Sequence, residues 1–320
     1  MTMTLAEIRL KQNPILTNLL LGMGQGTFIA EKLFPRLPQA LSSVMLAQIG
    51  DERFRKYNLR RAPGTATKRV DIKYDGKTYT VDQYAVEVPI PREMIREADE
   101  SRRLNVGNYL DISRIAMVTA NDILALDYEI EVAALATTPS TYAAGNVFTL
   151  AGPTKWSSAD GTPVDDIENA HNVIRKKIGK RANKLTLSAD AFVALKGNLQ
   201  VRSYLPDTQL GAPTLDQLKN ILNVEEIVVG DAVWKDETDT GLDVWGNNAI
   251  LAYVPRMAGA GADISLAEPA FGFTNVLEGH PFAETPYFEN GTKSWIYGAT
   301  YERRPNVAYN TAAVLFQNPK

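Results

Sequence analysis

Val70-Asp71-Ile72-Lys73-Tyr74-Asp75-Gly76-Lys77-Thr78-Tyr79-Thr80-Val81-Asp82-Gln83-Tyr84-Ala85-Val86-Glu87-Val88 alternates apolar and polar residues on both sides of Asp75-Gly76. That is the pattern of two antiparallel strands joined at a tight Asp-Gly turn. Cations crowd into the first limb. Between residues 53 and 77 stand Arg53, Arg55, Lys56, Arg60, Arg61, Lys68, Arg69, Lys73 and Lys77, against two acids, Asp71 and Asp75. An isolated two-stranded ribbon is barely stable in water, so this one is expected to lean on a partner surface.

Pro89 and Pro91 close the ribbon on its C-terminal side, and the longest helical pattern of the chain follows, from Asn105 to Ala136. Ile112, Ala116, Thr119, Ile123, Leu126, Ile130 and Ala133 recur at spacings of three and four and predict one apolar stripe. At 1.5 Å per residue such a helix is a rod of roughly 45–50 Å. Asp122, Asp127, Glu129 and Glu131 make its second half acidic, and they are the expected counter-charges for the basic limb. On the N-terminal side, the first fifty residues carry Asn13-Pro14, Gly22-Met23-Gly24-Gln25-Gly26, Pro35 and Pro38 among unperiodic apolar residues. Such a segment cannot bury its own leucines and reads as an arm that packs on something else.

Beyond Trp156 the pattern turns to compact α/β. Helices are expected over 163–177, 189–196 and 214–222, with Ile167, Ala170, Ile174 and Ile178 on one face of the first. Strands are expected over 184–188, 226–229 and 249–254. Ala258-Gly259-Ala260-Gly261-Ala262 marks a boundary, after which 271–282, 294–302 and 307–316 read as antiparallel strands.

Composition removes most chemistry. The 320 residues contain no cysteine and two histidines, His171 and His280, which excludes disulfides, thiolate nucleophiles and cysteine-ligated metals. With 34 basic and 37 acidic residues the net charge is -3, unlike a dedicated nucleic-acid binder. No apolar run is long enough to span a bilayer, and no basic, export-type leader precedes Ile15–Leu21, so a soluble chain made in a cytoplasm is expected.

The glycine cluster at 22–26 lacks the lysine and the preceding strand of a phosphate loop. The acids of 236–243 fall at the wrong positions for a calcium loop and read as a turn. Neither histidine belongs to a metal spacing or a nucleophile elbow, so both are expected to be structural. The cations Arg175, Lys176, Lys177, Lys180, Arg181 and Lys184 suit a helix C-terminus and a solvated loop. Asn290-Gly291-Thr292 reads as a strand–strand turn. No catalytic, cofactor or metal residues are assigned.

The order of arm, basic ribbon, long helix, inserted α/β block and returning strands resembles the major capsid protein of tailed bacteriophages, the shell fold first described in a Hong Kong coliphage. Local sequence carries the likeness from Trp156 to Phe273. Lys155-Trp156-Ser157 followed by Asp165-Asp166-Ile167 resembles the entry to that family's axial block. Asn183-Lys184-Leu185-Thr186-Leu187-Ser188 with Ala191-Phe192-Val193-Ala194-Leu195 is similar to its strand-then-helix step. Ile227-Val228-Val229-Gly230-Asp231-Ala232, Val244-Trp245-Gly246-Asn247-Asn248-Ala249-Ile250-Leu251-Ala252-Tyr253 and Pro269-Ala270-Phe271-Gly272-Phe273 are similar to the elements that follow.

The resemblance implies an α+β capsid fold divided into an N-terminal arm (1–50), an extended β-ribbon loop (51–91), a spine helix with the first part of a peripheral domain (92–163), an axial domain (164–262) and returning peripheral strands (263–320). It implies hexamers and pentamers of an icosahedral shell around double-stranded DNA, with no cofactor and no membrane. A portal protein, a separate scaffolding protein and possible decoration proteins are the implied partners, the virion is the implied location, and the host cytoplasm is the place of assembly. Some members join a loop lysine to a neighbour's asparagine; Lys68, Lys73 and Lys77 are not assigned to such a bond. An encapsulin-like compartment shares the fold and is the alternative reading. A hydrolase built on paired carboxylates is a further one.

Overall fold

The computed structural model describes residues 28–49, 55–71, 74–103, 112–206, 211–255 and 268–320. In chain order the elements are α1 (Ala30–Leu33), β1 (Arg36–Gln39), β2 (Ser43–Ile49), β3 (Tyr74–Thr80), β4 (Asp82–Pro91), α2 (Arg92–Arg103), α3 (Ile112–Thr137) and β5 (Val147–Thr149). They continue with α4 (Pro163–Ile178), β6 (Lys184–Ser188), α5 (Ala189–Gly197), α6 (Leu199–Ser203), α7 (Leu215–Leu222), β7 (Glu226–Gly230), β8 (Val233–Lys235), β9 (Gly241–Asp243) and β10 (Asn248–Ala252). The chain closes with β11 (Gly272–Leu277), β12 (Phe282–Ala283), β13 (Tyr287–Glu289), β14 (Ser294–Val307) and β15 (Ala313–Gln317).

Two sheets organise these elements. In the first, the long strand β14 pairs antiparallel with β4, β11, β12 and β13, and β1 joins the far edge of β11 in parallel. The second runs β5-β15-β10-β6-β7. Its inner strands Ala313–Gln317, Asn248–Ala252 and Lys184–Ser188 are nearly continuous apolar runs buried on both faces, as strands covered on two sides must be. Helix α4 supplies Ile167, Ala170, Ile174 and Ile178 to this block, all buried as their spacing predicts. It ends at Gly179, whose φ of 74° is the left-handed geometry of a glycine C-cap. Thr214 caps α7 by accepting from the Gln217 amide while Gln217 reaches back, and Ser188 caps α5 by accepting from the Ala191 amide.

A single apolar cluster joins the second sheet to the segment 29–34 and to the last half of α3, through Phe34, Tyr128, Val132, Ala136, Trp156, Trp245, Phe271 and Phe316. Another lies between the first half of α3 and the first sheet, around Met117, Leu124, Tyr297 and Tyr301. The long helix is thus the spine against which both sheets are packed.

Several sequence expectations change. Asp75-Gly76 is not a turn: both residues lie within β3, opposite Gln48 and Ala47 of β2. The ribbon is formed by 43–49 with 74–80. The expected second limb leaves the ribbon as β4, which finds ten partners along β14 from Ser294 to Arg303. A long tertiary partner outweighs a local turn signal. The returning region 263–320 is likewise split, because Ala313–Gln317 joins the second sheet beside β10 and β5. Helix α2, dense in charge, lies where no separate helix is expected.

The stripe expected to be the core face of the long helix is turned around. Its buried residues are Ala116, Met117, Ala120, Asn121, Leu124, Ala125, Tyr128, Glu129, Val132, Ala133 and Ala136. Of the expected stripe, Ala116 and Ala133 are buried, whereas Thr119 and Ile123 are exposed and Ile112, Leu126 and Ile130 are half-buried. The helix is apolar nearly all round, so periodicity alone does not choose a side. The alanine-rich side lets the helix approach the strands closely and takes the core. The turn expected at Asn290-Gly291-Thr292 joins β13 to β14. The glycine clusters at 22–26 and 258–262, and residues 105–111 of the expected helix, lie outside the described residues.

Candidate assembly surface and the charged joint of the spine helix

The ribbon tip, residues 55–71, contains no strand and holds its shape by short local bonds. Asn58 accepts from the Arg60 amide, the Thr65 hydroxyl donates to the Ala62 carbonyl at 2.8 Å, and the Arg61 guanidinium donates to Thr67 Oγ1 at 3.0 Å. Arg55, Lys56, Arg60, Arg61, Lys68 and Arg69 are all exposed there, with Asp71 as the one acid in the stretch. Lys77 falls in β3 opposite Leu46. Arg53 and Lys73 lie outside the described residues.

The four acids of the spine helix do not form one surface, which corrects the expectation that all of them await the ribbon. Asp122 is exposed. Asp127 and Glu131 point onto Arg303 of β14, a fully buried arginine. One guanidinium nitrogen of Arg303 meets Asp127 at 2.7 Å and the other donates to Glu131. The planar cation also lies over three rings, 4.1 Å from the centroid of Tyr84, 4.9 Å from Tyr128 and 5.3 Å from Tyr301. Tyr84 donates to Glu131 at 3.2 Å. Burial pushes the Glu131 carboxyl above its ordinary range while Arg303 pulls it back, and burial lifts the Tyr301 hydroxyl to about 12. Arginine suits this joint because its flat, weakly hydrated fork can hold two carboxylates and stack on aromatics together.

Glu129 is wholly buried. Its carboxylate accepts from the Ile29 amide through both oxygens at 3.0 Å, from the Ala30 amide at 2.8 Å and from Trp245 Nε1 at 2.7 Å. It therefore joins the N-terminal segment, the spine helix and the α/β block. Burial raises its proton affinity, and the three donors oppose that rise. Trp245 is itself locked over Gly230, where a Cβ would come within 2.3 Å of the indole ring.

Arg303 and Trp245 were not candidates on sequence grounds. A signal for Arg303 exists: it falls in the same alternation as Tyr297, Ala299 and Tyr301, a cation on an otherwise apolar strand face.

The remaining candidates become structural parts. His171 is buried, with Nε2 3.2 Å from the Leu222 carbonyl. His280 Nδ1 accepts from the Glu302 amide at 3.1 Å, and its Nε2 lies 3.9 Å from the Glu302 carboxylate. Burial lowers the proton affinity of both rings. A histidine whose folded value lies below its unfolded one stabilises the protein above the unfolded value, about 6.5, and that stability is lost as pH falls through the folded value. Urea midpoints taken between about pH 7.5 and 5 should thus fall more steeply for the native chain than for His280→Gln. Equal slopes would mean that His280 titrates alike in both states.

Four of the six cations at 175–184 are engaged inside the subunit: Lys177 donates to the Ala144 carbonyl at 2.9 Å, Lys180 pairs with Glu268 at 2.8 Å and Lys184 with Glu226 at 2.9 Å, and Arg181 pairs with Glu168. The acids near 236 close the β8–β9 turn, Asp236 accepting from the Thr238 and Thr240 amides. Among the described residues no cluster of three or more metal-ligating side chains occurs, and no helix is long and apolar enough to cross a membrane.

No family model matches the chain. It is 34% identical over 274 residues to the major capsid protein of Burkholderia phage BcepMu, covering 85% of this chain and 86% of that one. The crystal structure of a phage-related protein from Bordetella bronchiseptica RB50 superposes with a TM-score of 0.75 at 37% identity, covering 96% of this chain and 97% of the other. At the level of fold alone, the mature capsid of bacteriophage PhiM1 matches with a TM-score of 0.56 at 12% identity over 92% of this chain and 88% of that one. The SrpI encapsulin of Synechococcus elongatus PCC 7942 matches with 0.55 at 13% over 99% and 96%. With a spine helix carrying two sheets, a ribbon outside both, and a relative of this identity over most of both chains, the protein belongs to the major capsid proteins of phages, which build the shell of the virion.

Proposed function

We propose that the chain assembles into hexamers and pentamers of an icosahedral shell enclosing a double-stranded DNA genome, and that it catalyses no reaction. The ribbon tip carries this reading: six exposed cations against one acid, on a two-stranded element that pairs with neither sheet. Such an element suits contact with the acidic surface of an adjacent copy. Of the exposed spine-helix acids, Asp127 is engaged by Arg303, which leaves Asp122 as the one proposed for it. Repeated heterologous contacts whose rotation closes generate rings, and many modest contacts made at once hold a shell. A net charge of -3 suits a container that must not cling to each phosphate it encloses. A portal, a separate scaffolding protein and decoration proteins are the proposed partners, the virion capsid the location and the host cytoplasm the place of assembly.

Negative-stain microscopy of particles from phage-producing cells, with a nuclease-protection assay, tests the reading. Closed shells with protected DNA are expected. Shells holding protein cargo and no protected DNA would favour the compartment reading, and a small particle with hydrolytic activity would overturn both. Replacing Arg60 and Arg61 by glutamate should lower the assembled fraction in sedimentation velocity several-fold, with Asp122→Lys restoring part of it. Native assembly by the double variant would remove the ribbon from the contact.

A further inference from the structure

The isoleucine face of α3 points away from its own subunit. Ile115 and Ile123 are 46% and 47% exposed, Thr119 is exposed between them, and Leu126 and Ile130 continue the face half-buried. Positions three and four apart share one side of a helix, so these five form a single strip, about 22 Å long at 1.5 Å per residue. Isolated exposed apolar residues are ordinary, but a continuous strip of branched side chains marks a surface that something covers.

The same chain carries a segment of matching character. In Ile15-Leu16-Thr17-Asn18-Leu19-Leu20-Leu21 the apolar pairs 15–16 and 19–20 recur four residues apart, and Arg9 and Lys11 precede them. The segment lies outside the described residues, and seven residues separate it from an anchored point of the chain. Ile29 and Ala30 are tied to the spine helix itself by Glu129. Residues 22–28 reach at most about 23–25 Å when extended. Ile123 lies six residues along α3 from Glu129, about 9 Å, and Ile115 about 21 Å. The whole exposed part of the strip is therefore within range of Leu21. Asp122 stands exposed beside it, a counter-charge for Arg9 or Lys11. A tether this short also raises the local concentration of the segment far above that of any free competitor.

We propose that residues 15–21 lie along the Ile115–Ile123 face of α3 in the same subunit, completing the spine helix on the side the two sheets leave open. The contact is internal to one chain, so it is present before any shell forms and does not depend on shell closure.

Because the sequence has no cysteine, introduced thiols report without background. Leu16→Cys, Leu19→Cys and Leu20→Cys are each combined with Ile123→Cys in the full-length, unassembled protein and treated with a short bismaleimide. The same three are combined with Leu199→Cys, an exposed position on the α/β block, as control. Intramolecular linkage several-fold above the control in at least one pair is expected, read by peptide mass. Linkage no greater than the control in all three pairs overturns the proposal. So does linkage that forms only between copies when singly substituted chains are mixed. As a second readout, Ile115→Asn with Ile123→Asn changes two exposed side chains and should leave the fold intact. Tryptic cleavage after Arg9 and Lys11 should then become several-fold faster; an unchanged rate contradicts the contact.

Discussion

Replacing Arg303 by methionine is expected to lower the unfolding free energy of the isolated subunit by about 2–4 kcal/mol. Removing one partner of a buried ion pair costs about 3–5 kcal/mol, because the other charge stays in place without compensation. Here the penalty is moderated, since the Asp127 side chain is 54% and the Glu131 side chain 30% exposed, so water reaches both carboxylates once the guanidinium is gone. Methionine keeps much of the volume among Tyr84, Tyr128 and Tyr301 but neither the fork nor the charge. Arg303→Lys should lose a smaller amount, because a point charge cannot hold two carboxylates and lie flat over three rings. Adding Glu131→Gln to Arg303→Met should recover part of the loss, as coupled neighbours do in a double-mutant cycle. Urea denaturation followed by circular dichroism measures all three. A methionine variant within about 0.5 kcal/mol of native stability, the range of ordinary surface changes, would show that the cluster is no joint.

The second large effect is expected at Glu129. Glu129→Ala strips the acceptor from two buried backbone amides and from the Trp245 indole at once. Hydrogen bonds to a charged group contribute about 1.5–3 kcal/mol each and do not add, so a total loss of about 3–5 kcal/mol is expected. Glu129→Gln retains one carbonyl oxygen and no longer buries a charge, so it should lose clearly less. Hydrogen exchange separates this joint from a general loss of stability: amides of 29–34 should open first, before those of β10 and β15. Uniform opening would mean that the N-terminal segment is held by its apolar contacts instead. The pH dependence has a definite sign. A carboxyl whose proton affinity is raised in the folded state contributes stability that is present below its unfolded value and lost as pH rises through the folded one. Native protein should therefore lose stability relative to Glu129→Gln as pH rises above the usual carboxylate range.

The family resemblance was legible where the chain is locally self-sufficient. Lys184–Ser188, the helix opening at Pro163 and the capped helix at Leu215 form where their periodicity and end signals put them, because each buries residues spaced for its own geometry. The basic character of the ribbon was legible too, being a matter of composition. Its pairing was not. Asp75-Gly76 carries a strong local turn signal, yet a ladder from Ser43 to Ile49 and another along β14 offer many more hydrogen bonds than one tight turn. The spine helix shows the same limit. Its course from Ile112 onward and its acids could be read from the sequence, but not which of its two apolar sides faces inward, nor that three of its four acids are bound within the subunit.

What the sequence determined by itself is therefore the inventory: a cysteine-free chain short of catalytic side chains, with a basic excursion, a long helix and an α/β block in that order. What only the tertiary structure decided is which groups remain exposed to a partner. Arg303 engages Asp127 and Glu131, and the amides of Ile29 and Ala30 with Trp245 take up Glu129, from positions 99 to 176 residues away. Charge and hydrophobicity are properties of residues, but availability depends on what packs against them. That is settled by contacts between segments remote in the chain, which left the ribbon cations and the isoleucine face of the helix turned outward.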